Sequence, residues 1–151
     1  MNENSILSVL PLLFPRGNVV ELRALRKSGG IASGYFTDHE KLARDAEVLD
    51  STSDITGIYV TLNEVNPALL SRRANRTDMR LSKDDRTTGD EDIIRRHWFP
   101  VDIDPKRPSG ISSSDEEHNE ALEKAEKIRK FLSELGWPDP VSADSGNGAH
   151  L

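Results

Sequence analysis

The chain has no cysteine in its 151 residues. That excludes disulfides and thiolate zinc sites and leads us to expect a reducing, cytoplasmic setting. It also lacks an excess of positive charge: 20 Lys and Arg stand against 26 Asp and Glu, a net charge of −6. A whole-chain electrostatic grip on nucleic acid is thereby excluded, and any such contact has to come from a local patch. Long hydrophobic runs are missing. The apolar stretch Ser5 to Phe14 is cut by Pro11, followed by Pro15 and preceded by no basic segment. It is too short for a membrane span and lacks the pattern of a signal peptide, so it reads as a helix docked on a core, with no membrane partner. Aromatics are few, and Trp98 and Trp137 read as core or capping residues rather than platforms for stacked bases. Repeats and low-complexity segments are absent.

What is present is a succession of short elements, an α+β (α/β two-layer) pattern. Val20, Leu22 and Ala24 alternate with Glu21 and Arg23, which predicts a half-buried strand. Lys27 to Gly30 is a turn, and Ile31 to Phe36 the returning strand. Thr37 with Glu40 predicts a capping box opening a helix whose apolar face is Leu42, Ala43, Ala46 and Leu49. Gly57 to Leu62 predicts a buried strand ending at Asn63. Periodicity then fails from Ser71 to Arg86. There Arg72, Arg73, Arg76, Arg80, Lys83 and Arg86 outnumber Asp78, Asp84 and Asp85, which suits either a solvated loop or a basic arm for a nucleic-acid backbone. A short helix is expected from Asp90 to Arg96. The clearest helix follows a Ser114/Glu117 capping box, with Ala121, Ala125, Ile128, Leu132 and Leu135 as its stripe, Gly136 closing it and Pro138 forbidding continuation. Val141 to Ala143 predicts a short strand after it.

Two stretches carry chemistry. Trp98-Phe99-Pro100-Val101-Asp102-Ile103-Asp104 is an apolar run ending in two acids spaced i, i+2. On a strand the acids project from one face, where their mutual repulsion favours a hard divalent cation between them. Ser145-Gly146-Asn147-Gly148-Ala149-His150 is a glycine-rich turn closing on a histidine. It suits a cradle for phosphate oxygens, and it equally suits a plain hairpin, for which Asn-Gly is a strong signal. His39, His97 and His118 show no ligand spacing and read as structural or exposed.

These stretches, in this order and joined by an amphipathic helix, resemble the archaeo-eukaryotic primase superfamily. The closest branch is the primase–polymerases (PrimPol) of phages, plasmids and other mobile elements. Tyr59 to Asn63 with Asn66-Pro67 is similar to the upstream half of that branch. The resemblance implies a DNA-directed nucleotidyltransferase, a DNA primase and DNA polymerase of DNA replication. Asp102 and Asp104 would be the catalytic acids and ligands of magnesium or manganese (Mg²⁺ or Mn²⁺). Ser145, Gly146, Gly148 and His150 would bind the incoming NTP or dNTP, with Lys106 and Arg107 as further phosphate contacts. The implied partners are a single-stranded DNA template, contacted by Arg72, Arg73 and Arg76, and a helicase domain in a longer protein. The implied architecture is one catalytic domain over 1–151, made of an N-terminal αβ unit (1–97) and the first part of an RRM-like unit (98–151). The third acidic motif of the family has no counterpart here, so we expect a truncated form with a two-metal site short of one ligand. Two other readings fit these residues. A haloacid-dehalogenase-like phosphatase also places Asp-x-Asp after an apolar strand, but wants Thr or Val where this chain has Lys106. A non-catalytic remnant would bind nucleotide or single-stranded DNA without chemistry.

Overall fold

The computed structural model describes residues 3–108 and 110–151, and the fold is of the mixed α+β class. The chain divides into two compact units, Met1–Trp98 and Phe99–Leu151.

The first unit is built on a three-stranded antiparallel sheet. Strand β1 (Val20–Arg26) is central, between β2 (Ile31–Phe36) and β3 (Ile55–Val60). Gly29 and Gly30 both adopt positive φ in the β1–β2 turn, a conformation glycine reaches without Cβ strain. Two helices, α1 (Glu3–Leu13) and α2 (His39–Asp50), cover one face. There Leu10 and Phe14 join Val20, Leu22, Ala24, Phe36, Leu42, Ala43, Ala46 and Leu49 in the main core. Helix α1 continues through Pro11, where the sequence suggested an interruption.

The opposite face of β1 carries Glu21, which is fully buried. Its carboxylate accepts hydrogen bonds from Arg23 Nη2 (2.7 Å), Ser33 Oγ (2.5 Å) and the Thr88 amide (2.9 Å). Burial pushes its pKa up, but those three donors outweigh it and hold the carboxyl below its ordinary value. A second cluster of Val19, Tyr35, Val65 and Leu69 lies in this unit. The segment 74–78 runs along β2, bridging Tyr35 to Ala74 and Ser33 to Asp78. A Cβ on Gly34 would overlap the Arg76 carbonyl, so glycine is required at that approach.

Several local expectations are corrected. The cap of α2 is Asp38, whose carboxylate accepts from the Glu40 and Lys41 amides. Thr37 lies one residue ahead of the cap, and its amide and that of Asp38 donate to Asn75 Oδ1. Strand β3 begins two residues before the expected start and is a half-exposed edge strand rather than a buried one. The helix expected over Asp90 to Arg96 is instead a 3₁₀ turn, Asp90–Asp92, followed by strand β5 (Ile93–Arg95) paired with β4 (Glu64–Val65). Two adjacent β-branched isoleucines favour that strand. Asn63 ties β4's approach to the end of the unit, its Oδ1 accepting from the His97 and Trp98 amides. Trp98 is half-buried and its indole donates to the Leu13 carbonyl, a capping role.

The second unit runs β6 (Asp102–Ile103), α3 (Asp115–Glu134), β7 (Ala143–Asp144), β8 (Ala149–His150). Strand β8 lies between β6 and β7 and is antiparallel to both, so β6 and β7 are parallel with a strand inserted between them. This is a split β-α-β arrangement. The apolar run from Trp98 yields only two strand residues, since Pro100 has no amide to give to a ladder and Phe99 is exposed. Val101 and Leu151 extend the pairing by exchanging both backbone hydrogen bonds. Strand β7 lies at Ala143–Asp144 rather than at Val141 to Ala143, and Val141 is exposed.

Helix α3 opens with the reciprocal Ser114/Glu117 capping box. Its buried stripe is narrower than the spacing implies: Ala121 and Ala125 pack with Ile103 and Ala149, Ile128 is half-buried, and Leu135 is exposed. A sheet of two-residue strands is too short to cover the C-terminal half of a 20-residue helix. Among the described residues, no helix is long and apolar enough to cross a membrane.

Candidate active site

The pleat of β6 sorts its residues. Ile103 is buried against α3, while Asp102 and Asp104 on either side of it are exposed. Alternation therefore puts both acids on the sheet face opposite the helix. His150 is paired directly with Asp102 across β6 and β8, and Ala149 with Ile103. His150 thus shares the open face with the acids, and its Nε2 lies 3.1 Å from Asp102 Oδ1. The side chains are 67% (Asp102) and 53% (His150) exposed, so the pair is accessible to a ligand.

Gly148 is buried beside Asp104. A Cβ at that position would overlap the Ile103 carbonyl oxygen and lie 3.2 Å from Asp104 Oδ1. Only glycine lets the turn reach β6 at this point. The turn itself is internally bonded. Ser145 Oγ accepts from the Gly148 amide (3.0 Å) and donates to the Gly148 carbonyl (3.1 Å). The Gly146 amide donates to Asp144 Oδ1 at 2.7 Å, with Gly146 at φ +77°. The turn is accordingly a hairpin whose amides are satisfied within the protein, and its free donors are side chains. This corrects the picture of an amide-lined cradle.

The structure brings Asp102, Asp104, Gly148 and His150 together, with Ser145 and Gly146 in the adjoining turn. Lys106 is exposed just beyond the acids. Arg107 is half-buried, and its Nη1 donates to the Ile111 carbonyl. Arg72, Arg73 and Arg76 belong to the first unit. Arg73 is corrected outright: it is only 5% exposed, lies 5.3 Å over the Tyr35 ring and donates to the Arg86 carbonyl. It is a core cation, not a contact for a DNA backbone. Arg72 and Arg76 are exposed, and Arg72 Nη1 donates to the Arg86 carbonyl at 3.4 Å.

Sequence reasoning missed three residues. His118 Nε2 lies 2.8 Å from Asp144 Oδ1, and Asn147 Oδ1 accepts from the Ser113 amide and hydroxyl. The hydrogen bonds from Gly146 and His118 hold the Asp144 carboxyl below its ordinary value. No local pattern marks contacts that join a helix to a turn this far along the chain.

The donor set suits a hard divalent cation. Two exposed carboxylates on one face match magnesium or manganese, which are commonly held by one or two carboxylates with substrate phosphates completing the shell. Among the described residues there is no group of three or more His, Asp or Glu side chains that could hold a metal by itself. No protein-family model, no curated protein and no solved structure matches this chain.

Proposed function

We propose that the second unit is the metal-dependent nucleotide site of a DNA primase–polymerase. The observation that carries this reading is the shared open face: Asp102 and Asp104 exposed on one side of β6, with His150 3.1 Å from Asp102. The split β-α-β order of β6, α3, β7 and β8 also fits the leading elements of the RRM-like half that the motif resemblance implies.

In this reading Asp102 and Asp104 hold Mg²⁺ or Mn²⁺. Bound there, the metal would supply charge neutralisation of a triphosphate and activation of a primer hydroxyl. His150 serves as the hydrogen-bond donor to phosphate, exchanging its contact with Asp102 for a phosphate oxygen of an NTP or dNTP. Ser145 holds the turn in shape through its bonds to the Gly148 amide and carbonyl, and Gly148 lets the turn approach Asp104. A single-stranded DNA template and a helicase domain are the partners that go with this activity.

The test is Mn²⁺-dependent binding of a fluorescent dNTP by the 151-residue chain, compared with a double Asp102→Ala, Asp104→Ala variant. Saturable binding that the double variant loses supports the site. Binding that persists in the variant, or none in either protein, removes it.

A further inference from the structure

We infer that His118 and Asp144 are positioning residues that brace the Ser145–Gly148 turn from the helix side, fixing the pose in which it meets a nucleotide. The inference rests on the nucleotide reading above and names a part of the site which that reading does not use.

Register places the pair behind the site. Asp144 is paired with Ala149, which is buried against Ala121 and Ala125, whereas Asp102 and His150 are paired on the opposite face. The Asp144 carboxylate therefore lies on the α3 side, where it does not confront an incoming phosphate. One oxygen does two jobs. Asp144 Oδ1 accepts from the Gly146 amide at 2.7 Å and from His118 Nε2 at 2.8 Å, joining the turn to a helix residue 26 positions earlier. Asn147 makes a second tie, accepting from Ser113 just ahead of the helix. A turn with two glycines has many conformations to lose, and two anchors remove that freedom before any ligand arrives. With the turn fixed, Ser145 and His150 keep a set spacing beside Asp102 and Asp104. His118 and Asp144 touch no substrate in this scheme; they act through Gly146.

The experiment compares Mn²⁺-dependent dNTP binding and amide exchange of Gly146 in the full chain and in His118→Ala, His118→Gln and Asp144→Ala. The expected result is that His118→Ala and Asp144→Ala raise the Kd about tenfold, the scale of one lost charge-assisted hydrogen bond or outer-sphere partner. His118→Gln, whose amide nitrogen reaches about as far as Nε2, restores most of the affinity. The Gly146 amide should exchange faster in the two alanine variants while that of Ala121 stays protected, which separates loss of the brace from unfolding. Unchanged dNTP affinity in the alanine variants, or slow Gly146 exchange in them, overturns the brace alone. No dNTP binding by the wild-type chain removes the nucleotide reading, and this role of the pair falls with it.

Discussion

Glu21 is the buried carboxylate among those of the first unit, with Asp54 and Asp85, that hydrogen bonds hold below their ordinary values. It is fully buried, yet its donors hold the carboxyl below its ordinary 4.5. A depressed folded-state pKa contributes stability that is complete above the ordinary value and is lost as pH falls through the folded one. The thermal stability of the first unit should therefore fall below about pH 4.5, and Glu21→Gln should flatten part of that dependence. Replacement by alanine leaves the Ser33 hydroxyl and the Thr88 amide without their acceptor and Arg23 with only the Thr88 carbonyl, and should cost about 2–3 kcal/mol in urea denaturation. Gly148 makes the matching case at the candidate site. Gly148→Ala forces a methyl into the Ile103 carbonyl and should cost about 1–3 kcal/mol by overpacking, while weakening any metal-dependent dNTP binding through the displacement of Asp104. The alternation around β1 made Glu21's neighbours readable in the sequence, but nothing local showed that Thr88 would arrive to satisfy it. Arg73 went astray for the same reason. A charge run looks solvated until a distant aromatic, here Tyr35, offers its face.

Among the elements, those that carry their own punctuation were the legible ones. Helix α3 begins at its capping box and stops at a positive-φ glycine, as its residues dictate. Ser114→Ala should lower its stability by about 1 kcal/mol, measurable as a drop in the melting temperature followed by helical circular dichroism. Helix α2 shows the limit of that logic. Asp38 and Thr37 both carry capping side chains, and it is the Asp38 carboxylate that takes the Glu40 and Lys41 amides while Asn75 receives those of Thr37 and Asp38. Strands were less readable. Whether β3 is buried depends on its place at the sheet edge, and whether 93–95 is strand or helix depends on β4 being there to pair with it. Partners of this kind are long-range facts, and a window of ten residues does not contain them.

The whole molecule offers two units with different kinds of support, and its candidate chemistry lies in the smaller one. The identities of Asp102, Asp104 and His150 could be read from the sequence, whereas their grouping on one face required the register of β6 against β8. With two acids on that face we expect the 151-residue chain to bind Mn²⁺-dNTP weakly, to release it on addition of EDTA, and to make no primer on a single-stranded template. Primer extension that disappears in the Asp102→Ala, Asp104→Ala variant would show that two acids suffice. The strand order has a separate consequence for how the second unit comes into being. Among the described residues, strands β6 and β7 have no hydrogen-bonded neighbour strand except β8, the latest of the three in the chain. Until β8 is in place, β6 has no ladder partner, and α3 has Ile103 of β6 but not Ala149 of β8 to pack on. Refolding of this unit should then show helical signal first and sheet formation as one later step, in which the metal-binding face and its histidine appear together.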